Sequence, residues 1–397
     1  MRHRTWAIDQ PVRDSYLAFG SPQILQPEID EVLDSLRAAW LGTGPKVQAF
    51  ERAFAAYVGT PNAVAVHSCT AALHLAAVCI GLQPGDEVLV PAMTFAATAN
   101  AVVHAGGRPV LVDVDPRTAC IDLTDAARRI TPRTRAIVPV HFAGRACDMD
   151  AILAMATHHD LRVIEDCAHA TETVYKGRHA GTLGDLGAFS FYATKNVVTG
   201  EGGMLITGDA RWAARSKTLA LHGLSADAWK RFSDEGFRHY EVTEPGFKYN
   251  MMDLQAAIGL HQLRRVEGNL VRREAIWARY DEAFRDLPAF IPAPVDADTR
   301  HARHLYTLLL DLDHLTAGRD EVMAALHRQR IGTGVHYRAL HLHQYYREAF
   351  GYQRGDFPHA EWISDRTISL PMSPGLTDAD VEDVVFAVTR TLGQLAR

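Results

Sequence analysis

The sequence predicts an α/β fold: a large, mainly parallel sheet sandwiched by helices, plus a smaller C-terminal α/β unit. Three observations predict it. Seven short apolar runs stand at residues 63–66, 87–90, 109–114, 136–140, 162–165, 188–191 and 204–207. Helical periodicity fills most of the gaps, at 70–81, 98–105, 123–130 and 149–159. After about residue 210 the pattern changes to long helices at 253–265 and 271–284. Alternating strand and helix means a parallel sheet covered on both faces. In such sheets ligands bind beyond the carboxyl ends of the strands. The residues that follow these strands, Cys69, Thr70, Phe95, His141, Asp166 and Lys195, are therefore expected to converge on one crevice.

A proline-rich link at 287–294 leads into a strand at 305–310, a helix at 320–329, a strand at 334–337 and a terminal helix from Asp378. This divides the chain into a large unit, 1–285, and a small one, 286–397, with the first 25 to 50 residues packing on the small unit or bridging the two. There is no internal repeat.

Composition narrows the function classes. With 397 residues, 47% hydrophobic and 22% charged, the chain has the make-up of an ordinary soluble globular protein. The formal charge of −6 is spread without a basic stripe, so neither nucleic acid nor an anionic membrane is an expected partner. The longest apolar stretch, 71–82, is interrupted by His74 and is too short to span a bilayer. The N-terminus lacks the apolar run of a signal peptide, which points to the cytoplasm. Five cysteines, at 69, 79, 120, 147 and 167, form no CxxC pair, so neither a disulfide framework nor a metal cage is expected. His336, His341 and His343 fit no common ligand spacing and read as a polar cavity wall or a solvated loop.

Four local features carry chemistry. Lys195 follows the apolar run 188–191 and precedes a glycine-rich turn. An amine desolvated at a strand end loses proton affinity and can condense with a carbonyl, although a strand-end lysine is also an ordinary surface charge. HSCTAALHLA, residues 67–76, runs a strand into small residues at a helix start, where free N–H groups and the helix dipole receive a phosphate; simple capping by Ser68 or Thr70 is the alternative. VIEDCAHA, 163–170, ends a strand in Glu165 and Asp166, and a carboxylate there can keep a pyridine nitrogen protonated or merely cap a turn. PAMTFAATAN, 91–100, presents Phe95 as a ring that stacks on a flat cofactor or joins the core. Phosphate turn, aromatic plate, carboxylate and amine together describe pyridoxal 5'-phosphate. No GxGxxG follows the first strand and no GxxxxGK[ST] exists, which disfavours a dinucleotide or ATP.

HSCTAALHL, GDEVLVPAMTFAATANAV, PVHFAGRACDMDAI, VIEDCAHA, YKGRHAGTLGDLGAFSFYATKN and GFKYNMMDLQAAIGLHQL resemble the DegT/DnrJ/EryC1/StrS family of sugar aminotransferases, over about residues 40–371. The resemblance implies fold type I and a pyridoxal phosphate-dependent enzyme. It makes Lys195 the lysine that bonds the cofactor and later moves protons, and Asp166 the acid paired with the pyridine nitrogen. It makes Phe95 the stacking ring, His169 the residue packed opposite, Cys69, Thr70 and Ala71 the phosphate turn, and Ser190 a further phosphate ligand. Asn250 matches an asparagine that reaches the neighbouring subunit's cofactor, which implies a homodimer with shared sites.

The stretches at 40–51, 130–141, 221–229, 241–250 and 331–348 are most similar to family members that make UDP-4-amino-4-deoxy-L-arabinose. By that similarity His336 faces the nucleotide sugar, while Phe95 departs from an expected tryptophan. The implied reaction carries an amino group from L-glutamate to C4 of a 4-keto nucleotide sugar. Dehydratase relatives have histidine in place of the lysine, so Lys195 favours transamination. A dehydratase, or a regulator that only binds cofactor or nucleotide sugar, remains the alternative.

Overall fold

In the computed structural model, residues 10–224 and 241–397 are described. Part of one similar stretch, 225–229, lies outside them. Two helices open the described chain, α1 (Gln26–Arg37) and α2 (Pro45–Val58), followed by β1 (Asn62–Val66), α3 (Cys69–Cys79), β2 (Glu87–Pro91), α4 (Ala96–His104) and β3 (Arg108–Val112). Next come α5 (Leu123–Arg129), β4 (Thr134–Ile137), α6 (Met149–His159) and β5 (Arg162–Asp166). A short hairpin, β6 (Val174–Tyr175) and β7 (Arg178–His179), precedes β8 (Leu186–Ser190), β9 (Gly203–Thr207), α7 (Ala210–Ala220), α8 (Asp253–Arg264) and α9 (Val266–Phe284). The remainder is β10 (Ala289–Phe290), β11 (Thr299–Arg300), β12 (Tyr306–Leu310), α10 (Arg319–Arg328), α11 (Gln344–Phe350), α12 (Pro358–Arg366), β13 (Thr367–Leu370) and α13 (Asp378–Leu395).

The seven strands expected of the large sheet are the seven that form it, in the order β1-β9-β8-β5-β4-β2-β3. Five strands pair in parallel, β3, β2, β4, β5 and β8, while β9 runs antiparallel between β1 and β8. Strands β2, β8 and β9 are buried at every residue, the mark of a sheet covered on both faces. Helix α3 follows from CTAALHLAAVC: an alanine-rich segment, buried at nine positions, whose small side chains let it lie against α4, β8 and β9. The Ser68 side chain caps it by accepting from the Ala71 N–H. Leu75 is fully buried in that helix, and truncation to Ala costs roughly 2–5 kcal/mol.

A second, three-stranded sheet, β10-β12-β13, packs with the C-terminal half of α9 and with α10 and α13 in a separate apolar cluster that includes Trp277, Tyr306, Leu326, Ile368 and Val384. Val12 and Leu17 pack against that cluster, and α1 lies on α8. One expected strand fails to form. Residues 334–337 are a loop joined to β13 by a single bridge, Gly334 to Ser369. The loop instead carries His336 and Tyr337 to the edge of the large sheet, where Tyr337 meets Met93 and His169.

Candidate active site

A cavity of about 460 Å³ opens at the carboxyl edge of the large sheet, within the roughly 300–1,000 Å³ typical of small-molecule sites. Its floor is the start of α3, where the helix leaves the Cys69 and Thr70 N–H groups without internal partners. Because β9 is antiparallel, its first residue, Gly203, lies beside the last residues of β1 and β8. A Cβ on Gly203 would sit 2.4–2.6 Å from Ser68 and Cys69 backbone atoms, so only glycine lets the strand press against the helix start.

Lys195 follows β8 in a turn closed by its N–H to the Tyr192 carbonyl at 2.8 Å, and its side chain lines the cavity. Burial draws its amine down to about 8, against an opposing pull from Cys69 and Asp166. Asp166 ends β5 and is 4% exposed. Its carboxylate accepts from the Thr98 hydroxyl at 2.8 Å and the Ala168 N–H at 3.0 Å, and no ion pair is formed by it among the described residues. Burial raises its pKa above the ordinary carboxylate value, against those two donors and Lys195. A buried acid with so little compensation is a vacancy for a cationic partner.

Phe95 is 61% exposed at the cavity mouth, so it is a plate and not core, and its ring lies 5.9 Å from Tyr337. His169 is buried across the cavity, and burial pushes its imidazole well down, leaving it neutral. Ser190 and His336 also line the space. His336 shares a hydrogen bond of 2.8 Å with the Ser369 hydroxyl, and burial brings its ring down to about 3.

Three expected residues lie elsewhere. Ala71 is the third residue of the helix, with its N–H taken by Ser68 at 3.1 Å, and does not line the cavity. His141 is fully buried behind β5, because its ring is held between the Cys147 N–H and Glu165 and so turns away from the crevice. Asn250 lines a different hollow of about 360 Å³, with Thr43, Glu51, Arg52 and Lys217. Its amide donates to the Thr43 hydroxyl at 2.7 Å, while its buried oxygen has no hydrogen-bond partner among the described residues. His341 does not join His336: it pairs with Glu361 at 2.8 Å.

Sequence reasoning missed Thr98, Gly203 and Tyr337. Gly203 was signalled by the GEGG turn; Thr98 and Tyr337 gave no local signal, since Tyr337 meets its partner 168 residues away. His141, Glu165 and Cys167 lie close enough to suggest a metal cluster. Glu165, however, already accepts from Gly181, Leu183 and Gly184 N–H groups and from His141, and both His141 nitrogens are engaged.

An unpaired buried carboxylate, a desolvated amine, an open helix start and an aromatic plate on one cavity fit pyridoxal 5'-phosphate, and with the mainly parallel sheet they define a fold type I aminotransferase. The chain belongs to the DegT/DnrJ/EryC1/StrS aminotransferase family, which it matches over residues 22–389. It is 51% identical to the spore coat polysaccharide biosynthesis protein SpsC of Bacillus subtilis, over 95% of this chain and 97% of that one. Among solved structures it resembles the PLP form of Spr1654 from Streptococcus pneumoniae, at 31% identity and TM-score 0.88, covering 96% of this chain and 100% of that one. It also resembles DesI, solved in the presence of its TDP-sugar product, at 33% identity and TM-score 0.84, with 97% and 95% covered. Family and relatives indicate pyridoxal 5'-phosphate as the cofactor. No helix among the described residues is long and apolar enough to cross a membrane.

Proposed function

We propose that the chain transfers an amino group from L-glutamate to C4 of a 4-keto nucleotide sugar, linked to UDP or dTDP, giving a 4-amino-4-deoxy nucleotide sugar and 2-oxoglutarate. The observation that carries this reading is the meeting of Lys195 and Asp166 on one cavity whose floor is the open start of α3. When bound, pyridoxal 5'-phosphate supplies an electron sink for a carbanion beside the transferred nitrogen. Each protein group then has a defined task. The Cys69 and Thr70 N–H groups and the Ser190 hydroxyl receive the phosphate, Phe95 and His169 hold the two sides of the ring, and Asp166 keeps the ring nitrogen protonated. Lys195, brought to about 8, exchanges protons near neutral pH, taking one from the donor carbon and returning one to the sugar carbon.

Support for a nucleotide sugar comes from DesI, solved with a TDP-sugar product, and from the polysaccharide pathway named for SpsC. His336, neutral and at the cavity wall, is the proposed contact to that substrate. A homodimer with shared sites is supported by the unpartnered Asn250 oxygen and by an apolar stripe on and beyond α1, where Ile29, Leu33, Leu36 and Trp40 are 38–50% exposed. The proposed boundary between the large and small units is 285/286, with the C-terminal half of α9 packing on the small unit's cluster.

The test is incubation of the protein with pyridoxal 5'-phosphate, L-glutamate and a panel of UDP- and dTDP-4-keto sugars, followed by mass spectrometry. The expected result is one aminated sugar with stoichiometric 2-oxoglutarate, lost in Lys195→Ala together with the yellow absorbance of the loaded parent. A dehydrated sugar, or steady absorbance without 2-oxoglutarate, overturns the reading.

A further inference from the structure

Two tyrosines, Tyr192 and Tyr337, line the cavity; Tyr337 packs with Phe95 and His169, and the hydrogen bonds around it fix where its proton points. The Ala143 N–H donates to His169 Nδ1 at 3.2 Å, so that nitrogen carries a lone pair and no proton. A neutral imidazole then has its proton on Nε2. His169 is neutral, since it is buried and lies among Lys195, His304 and His336. Nε2 lies 2.9 Å from the Tyr337 hydroxyl. Two acceptors cannot both sit on one imidazole, so His169 donates and the Tyr337 oxygen accepts. The phenol proton is thereby excluded from the His169 side. No other hydrogen bond is made by that hydroxyl among the described residues, and burial keeps it protonated.

The surroundings restrict what that proton meets. Tyr337 stands on the cavity wall with Phe95, His169, Lys195 and His336, and Cys69 and Asp166 line the same cavity. A protonated phenol on the same cavity as the Lys195 amine and the neutral His336 offers a hydrogen bond without offering charge. That suits an oxygen acceptor on the reacting molecule, either a carboxylate oxygen of the amino donor or an oxygen of the keto sugar.

We infer that Tyr337 is a substrate-binding donor, oriented by the backbone through His169: Ala143 N–H fixes the histidine tautomer, the histidine occupies the phenol's oxygen, and the phenol's proton is left for a substrate oxygen. The inference rests on the aminotransferase reading for the identity of the two reactants, and not for the direction of the hydrogen bonds.

The experiment compares the parent with Tyr337→Phe, which keeps the ring against Phe95 and His169 and removes the hydroxyl. Nitrogen-15 NMR of the parent apoprotein should show His169 protonated on Nε2. Calorimetry on the apoproteins should show that Tyr337→Phe weakens one of two probes, 2-oxoglutarate or UDP-xylose, about tenfold, the scale of one buried hydrogen bond. In the loaded enzyme KM for the matching reactant should rise by a similar factor with kcat within about twofold, the signature of lost uniform binding. Weakening of 2-oxoglutarate identifies the donor carboxylate as the partner; weakening of UDP-xylose identifies the sugar. Equal affinity of parent and variant for both probes overturns the inference, as does a proton on His169 Nδ1. An inactive parent would instead count against the proposed reaction and would leave the tautomer and probe results to decide this point.

Discussion

Glu165 and Asp166 are consecutive residues of β5, both almost wholly buried, yet strand alternation sends their carboxylates to opposite faces of the sheet. On one face Glu165 accepts from Gly184 at 2.6 Å, Gly181 and Leu183 at 2.8 Å, and His141 at 2.9 Å. Those bonds fasten the loop between β7 and β8 and use the carboxylate completely. On the other face Asp166 has two donors and, among the described residues, no ion-pair partner. The donor count, and not depth, separates a structural acid from one held ready for a ligand.

Four measurements break or sharpen that contrast. The largest effect is expected for Asp166→Asn. An amide cannot hold a pyridine nitrogen protonated, so turnover should fall about 10³-fold, the scale of electrostatic stabilisation at a reacting centre. Folding should not suffer. A buried acid raised above its unfolded value loses stability as pH rises past that unfolded value, so at neutral pH the variant apoprotein should melt at or above the parent.

Glu165→Gln should do the reverse. Whichever way the amide turns, two N–H donors lose their acceptor, at a cost of roughly 3 kcal/mol that a lowered urea midpoint would register, with turnover per folded molecule little changed.

A smaller effect follows from Lys195. With its amine at about 8, the free-base fraction rises about tenfold between pH 7 and 9, and the rate of cofactor capture by the apoprotein should rise with it and then level off. In Asp166→Asn the charge that raises the lysine is gone, so the same curve should move to lower pH.

The smallest effect is expected for Thr98→Val. The Thr98 hydroxyl gives its proton to Asp166 and accepts from Thr94 at 2.8 Å, and its loss removes one donor from the acid. Cofactor affinity, read by absorbance titration, should change by a few-fold, consistent with about 1 kcal/mol per hydrogen bond.

Much of the large sheet was legible because its strands are short apolar runs separated by helical periodicity, and all seven were found within a few residues of their ends. Lys195, Asp166, Cys69, Thr70 and Phe95 were legible for a related reason: each closes a strand or comes within a few residues of its end, and the sheet gathers such positions. His141 misled by the same rule, because position after a strand says nothing about which way a ring turns once a backbone N–H and a carboxylate compete for it. The 334–337 segment reads as a strand by its residues but is recruited as a loop by contacts with Met93 and His169, which no local pattern encodes. Nor does any pattern reveal that β9 reverses direction, and the meeting of Gly203 with Ser68 depends on that reversal.

The same reversal sets a timetable for synthesis. Strand β1 is the edge of the sheet and takes its ladder from β9, with one further bridge from Val66 to Asn250, so residues 62–66 wait for residues 203–207. At ribosomal rates that interval lasts on the order of 10 s. During it NAVAV is an unpaired apolar strand, and the α3 start that follows it lacks Gly203, although the helix can lie on β8 before β9 is made. Cofactor binding is therefore a late event in the life of the nascent chain, and chains stalled before β9 would be marked out for chaperones by an exposed β1 and by failure to take up cofactor.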